Sequence, residues 1–375
     1  MARKLRENEA IFYPNRGKAG QWIIKVQRDG TQKQFTSCKP GRKGKLEAER
    51  KADEWLEKGL TGKDPRVAAA YAEFVESKRK EGKSSAWPTK LESMGRIHIL
   101  PYIEHKKVSA LVQNDWKDIM DRAAKKKFRG KPLSKKTLED IRGAITGFAT
   151  YCDDAGYQIR PIKHLTIDPD APVGERTILQ PDGIKVLFAE DTIVNRGRKV
   201  FCWYINLWRL LLVTGLRRGE ACGLQRDDRD GDRLHIRRSI NGFDEITRGK
   251  TDMAKRTVYI TPTITKVLND QAALLRAAGI VSPWLFPDGD GHMSSPNNVY
   301  NSWDTYRRQH GIKPTLHELR HTYVSLMQDV IPETALKRMV GHTEKMDTFG
   351  TYGHEVDGVT EKAAQLAEGV LKDLI

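Results

Sequence analysis

The chain has 375 residues, with 65 Lys plus Arg against 49 Asp plus Glu and a formal net charge of +16; at roughly 100 to 200 residues per domain, that length suggests two or three domains. The four separated cysteines, Cys38, Cys152, Cys202 and Cys222, form no CxxC pair and suggest neither a metal knuckle nor a disulfide framework. The best apolar run, residues 200–213, is broken by Asn206 and Arg209, and the first residues show no signal-peptide pattern. A cytosolic protein with no membrane partner is therefore expected.

Residues 1–60 hold 15 basic and 8 acidic side chains. Alternating runs at residues 11–13, 21–26 and 33–36, with turns at Gly17, Gly20 and Asp29-Gly30, predict three short strands. A helix over residues 45–58 should turn Leu46, Ala52, Trp55 and Leu56 inward. Residues 61–165 hold 22 basic against 13 acidic side chains, and the pattern reads as helical over residues 65–165. Val67, Tyr71, Phe74 and Val75 form one stripe, and Ser134 is placed to cap a long helix carrying Leu138, Ile141, Ile145, Phe148 and Ala149. Lys125, Lys126, Lys127, Lys135 and Lys136 cluster positive charge that suits a DNA backbone; an ordinary solvated face is the alternative. Residues 166–178, with Pro169 and Pro172, read as a linker.

Residues 166–375 hold 28 basic and 28 acidic side chains, so the whole positive excess lies upstream and a different task is expected here. In residues 176–375 the pattern predicts helices at 180–189 and 199–213, then strands at 234–236 and 257–260 closing a hairpin bent at Gly249 and Asp252. Further helices are predicted at 263–278, 297–310, 315–328 and 334–339. A tail helix over residues 360–375 puts Ala363, Leu366, Val370, Leu371 and Leu374 on one stripe, to cover its own domain or a neighbouring subunit. The fold class is mixed and mainly α: a small N-terminal β-sheet plus helix, a helical domain, and an α-rich domain with a small sheet.

Four segments of the C-terminal half are rich in cationic, imidazole and phenolic side chains and offer no carboxylate pair for a metal. They are Thr214-Gly215-Leu216-Arg217-Arg218-Gly219-Glu220, Arg248-Gly249-Lys250-Thr251, His317-Glu318-Leu319-Arg320-His321, and Gly341-His342 followed by Thr351-Tyr352-Gly353-His354. A phosphodiester under attack gains negative charge on its non-bridging oxygens, which the fixed charge and planar donors of Arg217 and Arg320 suit. Arg320 follows His317 by three residues, so the two share a helical face. A tyrosine hydroxyl attacks phosphorus only after losing a proton of pKa about 10, and His317 and His342 can take or share it. A poor leaving oxygen needs a proton, which a hairpin amine can deliver: Lys250, with Lys255 close enough to compete. Taken singly, each of these side chains reads as structural.

In order and spacing, including the ten residues from His342 to Tyr352, the set resembles the catalytic signature of the tyrosine recombinase (phage integrase) family. The resemblance implies a DNA breaking-rejoining fold with Arg217, Lys250, His317, Arg320, His342 and the nucleophile Tyr352 as catalytic residues. Glu220 matches the acidic position that orients the first arginine. His321 is assigned to packing, and His354 is left open. Residues 65–165 resemble the helical core-binding clamp and residues 1–60 the arm-type DNA-binding module of larger phage integrases. The implied function is site-specific integration or excision of a phage or mobile element. It runs through a 3′-phosphotyrosine and a Holliday junction, by a homotetramer on double-stranded attachment-site DNA. Host DNA-bending proteins and an excisionase are conceivable accessories; no metal, nucleotide or other cofactor is implied.

Three rivals were open. His317-Glu318-Leu319-Arg320-His321 also fits the zinc-protease pattern, although an N-terminal helix position and the neighbouring Arg320 favour phosphate over Zn²⁺. A non-catalytic DNA-binding protein could keep the fold without the chemistry. A type IB topoisomerase or telomere resolvase would share the chemistry, but the arm-like N-terminal module favours an integrase.

Overall fold

The computed structural model describes residues 8–16, 20–28, 31–60, 64–82, 85–174, 177–247, 256–341 and 359–375. The chain forms two compact units, Met1–Gly174 and Glu175–Ile375.

The first unit holds two cores. In the smaller, an antiparallel sheet of β1 (Ile11–Tyr13), β2 (Gln21–Arg28) and β3 (Thr31–Ser37) is backed by α1 (Gly41–Leu60), with Ile24, Val26, Ala48, Ala52 and Trp55 buried between them. The helix begins four residues before the expected start. Its inward stripe runs through Ala48, Ala52 and Trp55, leaving Leu46, expected inside, 53% exposed. The Gly44 position explains the choice: a Cβ there would lie 1.9 Å from the Lys39 carbonyl, so the bare side of the helix faces that chain.

The larger core is helical. It comprises α2 (Val67–Lys80), α3 (Ala86–Met94), a π turn at Gly95–Ile99, α4 (Leu100–Ile103), α5 (Gln113–Lys125), the hairpin β4 (Lys127–Phe128) and β5 (Lys131–Pro132), and α6 (Lys135–Asp154). Ser134 caps α6 by accepting a hydrogen bond from the Thr137 amide at 3.3 Å. Phe148 on α6 meets Tyr71 and Phe74 of α2 at 5.2 and 6.0 Å between ring centres. Ile167 and Ala171, within the stretch expected as a linker, lie on this core beside Leu165. Two adjacent carboxylates of α6 join the two cores: Asp153 accepts from Lys33 Nζ at 2.6 Å and from Trp55 Nε1 at 2.9 Å, and Asp154 accepts from Lys33 Nζ at 3.2 Å.

The second unit opens with α7 (Pro181–Ala189), the hairpin β6 (Thr192–Asn195) and β7 (Arg198–Phe201), and α8 (Ile205–Thr214). A helix was expected from residue 199, but residues 198–201 form a strand. The hairpin turns on Arg196 and Gly197 at φ +50° and +76°, a two-residue turn with an arginine where Asn or Gly would have announced it. Every residue of α8 is buried. Arg209, which interrupts its apolar run, donates to the Leu187 and Phe188 carbonyls at the end of α7.

Next come α9 (Arg218–Cys222), β8 (Arg229–Asp230), β9 (Arg233–Ile236), the ribbon β10 (Ser239–Ile240) and β11 (Ile246–Thr247), and β12 (Arg256–Tyr259). The sheet runs β12-β9-β8, pairing His235 with Thr257 as the hairpin reading requires, but the unforeseen ribbon is inserted between its strands. The helices α10 (Pro262–Ala277), α11 (Pro296–Gln309), α12 (Glu318–Met327), α13 (Glu333–Val340) and α14 (Val359–Leu374) complete the unit. α14 lies on its own unit through Ala363, Ala364, Ala367 and Leu371, and Glu368 accepts from the Thr263 amide at the start of α10. Leu366, expected on the buried stripe, is 47% exposed. Of the four free cysteines Cys38 is exposed and the other three are buried, and burial pushes the Cys152, Cys202 and Cys222 thiols up to about 12. Among the described residues no helix is long and apolar enough to cross a membrane.

Candidate active site

The site begins where α8 stops. Gly215 ends it in the left-handed region at φ +64°, and a Cβ there would sit 2.5 Å from the Tyr323 ring and 3.1 Å from Val340. Glycine is required on both counts. The chain then turns into α9, whose N-cap is Arg217. Glu220 in the first turn accepts from the Arg217 amide at 2.8 Å through Oε2 and from Arg217 Nη1 at 2.9 Å through Oε1.

A second guanidinium, unforeseen from the sequence, grips the same carboxylate. Arg256 opens β12, and its Nη1 and Nη2 donate to Glu220 Oε1 and Oε2 at 3.1 and 2.8 Å. Its Nε donates to the Met339 carbonyl at 2.8 Å, while Arg217 Nη2 donates to the Gly341 carbonyl at 2.9 Å. Two cations therefore satisfy the carbonyls at the end of α13, where the helix dipole is negative. Gly341 closes that helix at φ +68°, and a Cβ there would fall 2.9 Å from Arg256 Nη1. Glu220 is 3% exposed; burial alone would raise its pKa, but Arg256 and then Arg217 outweigh this and hold it below the usual carboxylate range. The Arg256 signal was available, since strand alternation puts it on the face of buried Val258.

Arg320 lies on α12, 3% exposed. Its Nη1 donates to the Gly215 carbonyl at 2.7 Å, and its Nη2 is buried with no hydrogen-bond partner among the described residues. Burial, and then repulsion by Arg217, push its pKa down to about 9, so it stays charged at neutral pH. Three guanidiniums thus crowd one carboxylate, leaving an excess of two positive charges and one unspent, buried donor. Such a donor costs free energy until an acceptor arrives, so the arrangement is suited to an anion.

His317 stands at the start of the helix that carries Arg320, with a helical backbone at φ −70° and ψ −26°. It precedes the first residue of α12 as its N-cap and is exposed, with its ring 5.0 Å from that of His321 and nearly perpendicular to it. The zinc-protease reading loses its base here. Both Glu318 oxygens are engaged, by the Thr177 amide at 2.8 Å and the Thr315 amide at 2.5 Å. Burial pushes that carboxyl up, but these amides outweigh it and keep it ionised. Among the described residues the one group with metal-ligand geometry is Asp288, Asp290 and His292, elsewhere in the unit.

The structure therefore brings Arg217, Glu220 and Arg320 together. Lys250, its rival Lys255, His342, Tyr352 and His354 lie outside the described residues. So do Arg248, Gly249 and Asp252 of the expected bend. In the first unit, Lys125, Lys126 and Lys127 are exposed at the end of α5 and start of β4. Lys135 is half-buried, its amide donating to the Pro172 carbonyl, and Lys136 pairs with Asp140 at 3.2 Å.

Residues 180–358 match the family model described as the phage integrase family. Among curated proteins, the tyrosine recombinase XerA of Pyrococcus furiosus is 28% identical over 143 residues, 37% of this chain and 46% of that one. The integrase of Staphylococcus phage L54a is 27% identical over 180 residues, 44% of this chain and 50% of that one. The chain thus spans about half the length of the curated relatives it matches. Among solved structures, a Tn1549 transposon integrase in complex with transposon right end DNA superposes with a TM-score of 0.60. It is 21% identical and covers 80% of this chain and 99% of that one. A lambda integrase tetramer bound to a Holliday junction gives a TM-score of 0.59 at 16% identity, covering 95% of this chain and 99% of that one. At these identities the structural likeness speaks for the fold, which is the mainly α, mixed fold of the integrases.

Proposed function

We propose, from the match of residues 180–358 to the phage integrase family model, that this chain is a tyrosine recombinase, a site-specific DNA recombinase acting on a phage or mobile element. The carrying observation is the buried Nη2 of Arg320 without a partner among the described residues, beside Arg217. A phosphodiester supplies the acceptor it lacks, and the excess charge of the cluster grows more useful as the phosphorus becomes five-coordinate.

Tyr352 attacks the scissile phosphorus, its proton leaving to His317 or His342. The P–O5′ bond breaks, Lys250 protonates the departing oxygen, and a 3′-phosphotyrosine and free 5′-hydroxyl result. A 5′-hydroxyl from the partner duplex then attacks the ester and releases the phenol. Two such rounds pass through a Holliday junction, on four protomers holding two duplexes. No hydrolysis occurs, so the ester keeps the bond energy. Tyr323, the tyrosine packed on Gly215, cannot substitute: it is 2% exposed and burial raises its pKa above the ordinary phenol value. The first unit holds the DNA, with residues 65–165 as clamp, residues 1–60 as arm module, and the lysines at 125–127, 135 and 136 on the backbone.

The test is covalent trapping. The full chain is incubated with nicked duplexes selected from a random-sequence pool by its own binding, then denatured. A retained DNA adduct, indifferent to chelator and lost by at least about 10⁴-fold in Tyr352→Phe while binding persists, is expected. An adduct surviving in Tyr352→Phe, or peptide cleavage abolished by chelator, would overturn the reading.

A further inference from the structure

Arg256 has no part in the bond changes just described, yet it makes more side-chain hydrogen bonds than either arginine that does. It is anchored on both Glu220 oxygens and on the Met339 carbonyl, with its side chain 7% exposed. Its place in the chain matters as much as its bonds. Arg256 follows directly on the segment that carries Lys250 and Lys255, and the carbonyls gripped by Arg256 and Arg217 end the helix that leads into the segment carrying His342 and Tyr352.

We propose that Arg256 is a positioning residue which, through Glu220 and the end of α13, fixes the Arg217 guanidinium and the roots of the Lys250 and Tyr352 segments in one common frame. The inference rests on the recombinase reading. Its logic is geometric. Glu220 has two oxygens and four donor nitrogens of Arg217 and Arg256 converge on them, so the carboxylate takes one orientation only. Arg217 is then directed with one nitrogen on Glu220 and one on Gly341, while its side chain stays 40% exposed to meet a ligand. Lysine cannot replace the anchor fully, because one ammonium lacks the planar fork that spans a carboxylate and a carbonyl together. Nor is there slack to absorb a shift, since Gly341 has no room for even a methyl group against Arg256.

The experiment compares wild type, Arg256→Met and Arg256→Lys as full chains on the same selected nicked duplex. It measures duplex affinity, thermal melting and the single-turnover rate of adduct formation at saturating DNA. We expect Arg256→Met to bind DNA within about twofold of wild type but to form adduct about ten- to a hundredfold more slowly, the scale of a misplaced reacting group. Arg256→Lys should recover part of the rate. A rate equal to wild type in Arg256→Met, or a loss of binding that accounts for the whole defect, overturns the proposal. If Arg256→Met fails to fold, Arg256→Lys decides alone: slowed chemistry with intact binding supports the role, and unchanged chemistry refutes it. No adduct from wild type would refute the recombinase reading and this inference with it, whereas adduct at full rate in the Arg256 variants refutes the inference alone.

Discussion

The two units carry charge in opposite ways. The first has the net excess, spread over exposed lysines such as Lys125, Lys126 and Lys127, with others answered by a nearby carboxylate: Lys90 and Lys136 share Asp140, at 2.6 and 3.2 Å. The second is balanced overall, yet its buried centre sets three guanidiniums around one carboxylate. Net charge therefore marks where a polyanion would be held and says nothing of where its chemistry is done. Exposed charge is screened and interchangeable, while buried charge is directional and individually indispensable.

That contrast breaks most readily at Glu220. Glu220→Gln leaves Arg217 and Arg256 without a countercharge and should cost about 3–5 kcal/mol of stability by denaturant unfolding near pH 7. Because the folded pKa of Glu220 is depressed, its contribution is present above the ordinary carboxylate value near 4.5 and is lost as pH falls through the lower folded value. The gap between wild type and variant should thus be level from neutral pH to about 5 and close below it; a gap widening on acidification would contradict the ion-pair account.

Arg320→Met should slow adduct formation by about 10²–10³-fold while leaving the melting temperature unchanged or higher, since it removes a buried cation repelled by Arg217. A variant that is both inactive and clearly less stable would assign Arg320 to structure. Gly215→Ala should cost about 1–3 kcal/mol, from a left-handed φ and the collision with Tyr323, read as a lower melting temperature. The smallest effect belongs to the first unit. Replacing Lys125, Lys126 and Lys127 together by Ala should lower the slope of log affinity against log salt by about three, alike for any duplex sequence. The adduct rate at saturating DNA should not change. A defect in that rate would erase the distinction between the two kinds of charge.

Long, periodic elements with strong punctuation were legible beforehand. The helices at residues 135–154, 262–277 and 296–309 emerge within a few residues of their patterns, each preceded by a Ser or followed soon by a Gly. At the site, the pairing of Arg217 with Glu220 was foreseen from the family resemblance and is met by an N-cap contact across the first turn of α9. Other features left no such trace. The hairpin at residues 192–201 turns on Arg196, an amino acid that ordinarily avoids a left-handed backbone. The ribbon formed by β10 and β11 is two residues per strand, too short for alternation to register. Arg256 was overlooked because a linear pattern records that a side chain is charged but not that three oxygens wait for it inside.

The Asp153 joint in the first unit has a mechanical consequence. Two neighbouring carboxylates receiving one ammonium and one indole N–H are a narrow weld between two independently packed bodies. Concentrated electrolyte will loosen that weld before either body melts. Any twist applied to the small sheet, by whatever it grips, is delivered to the far end of the helix that Ser134 begins.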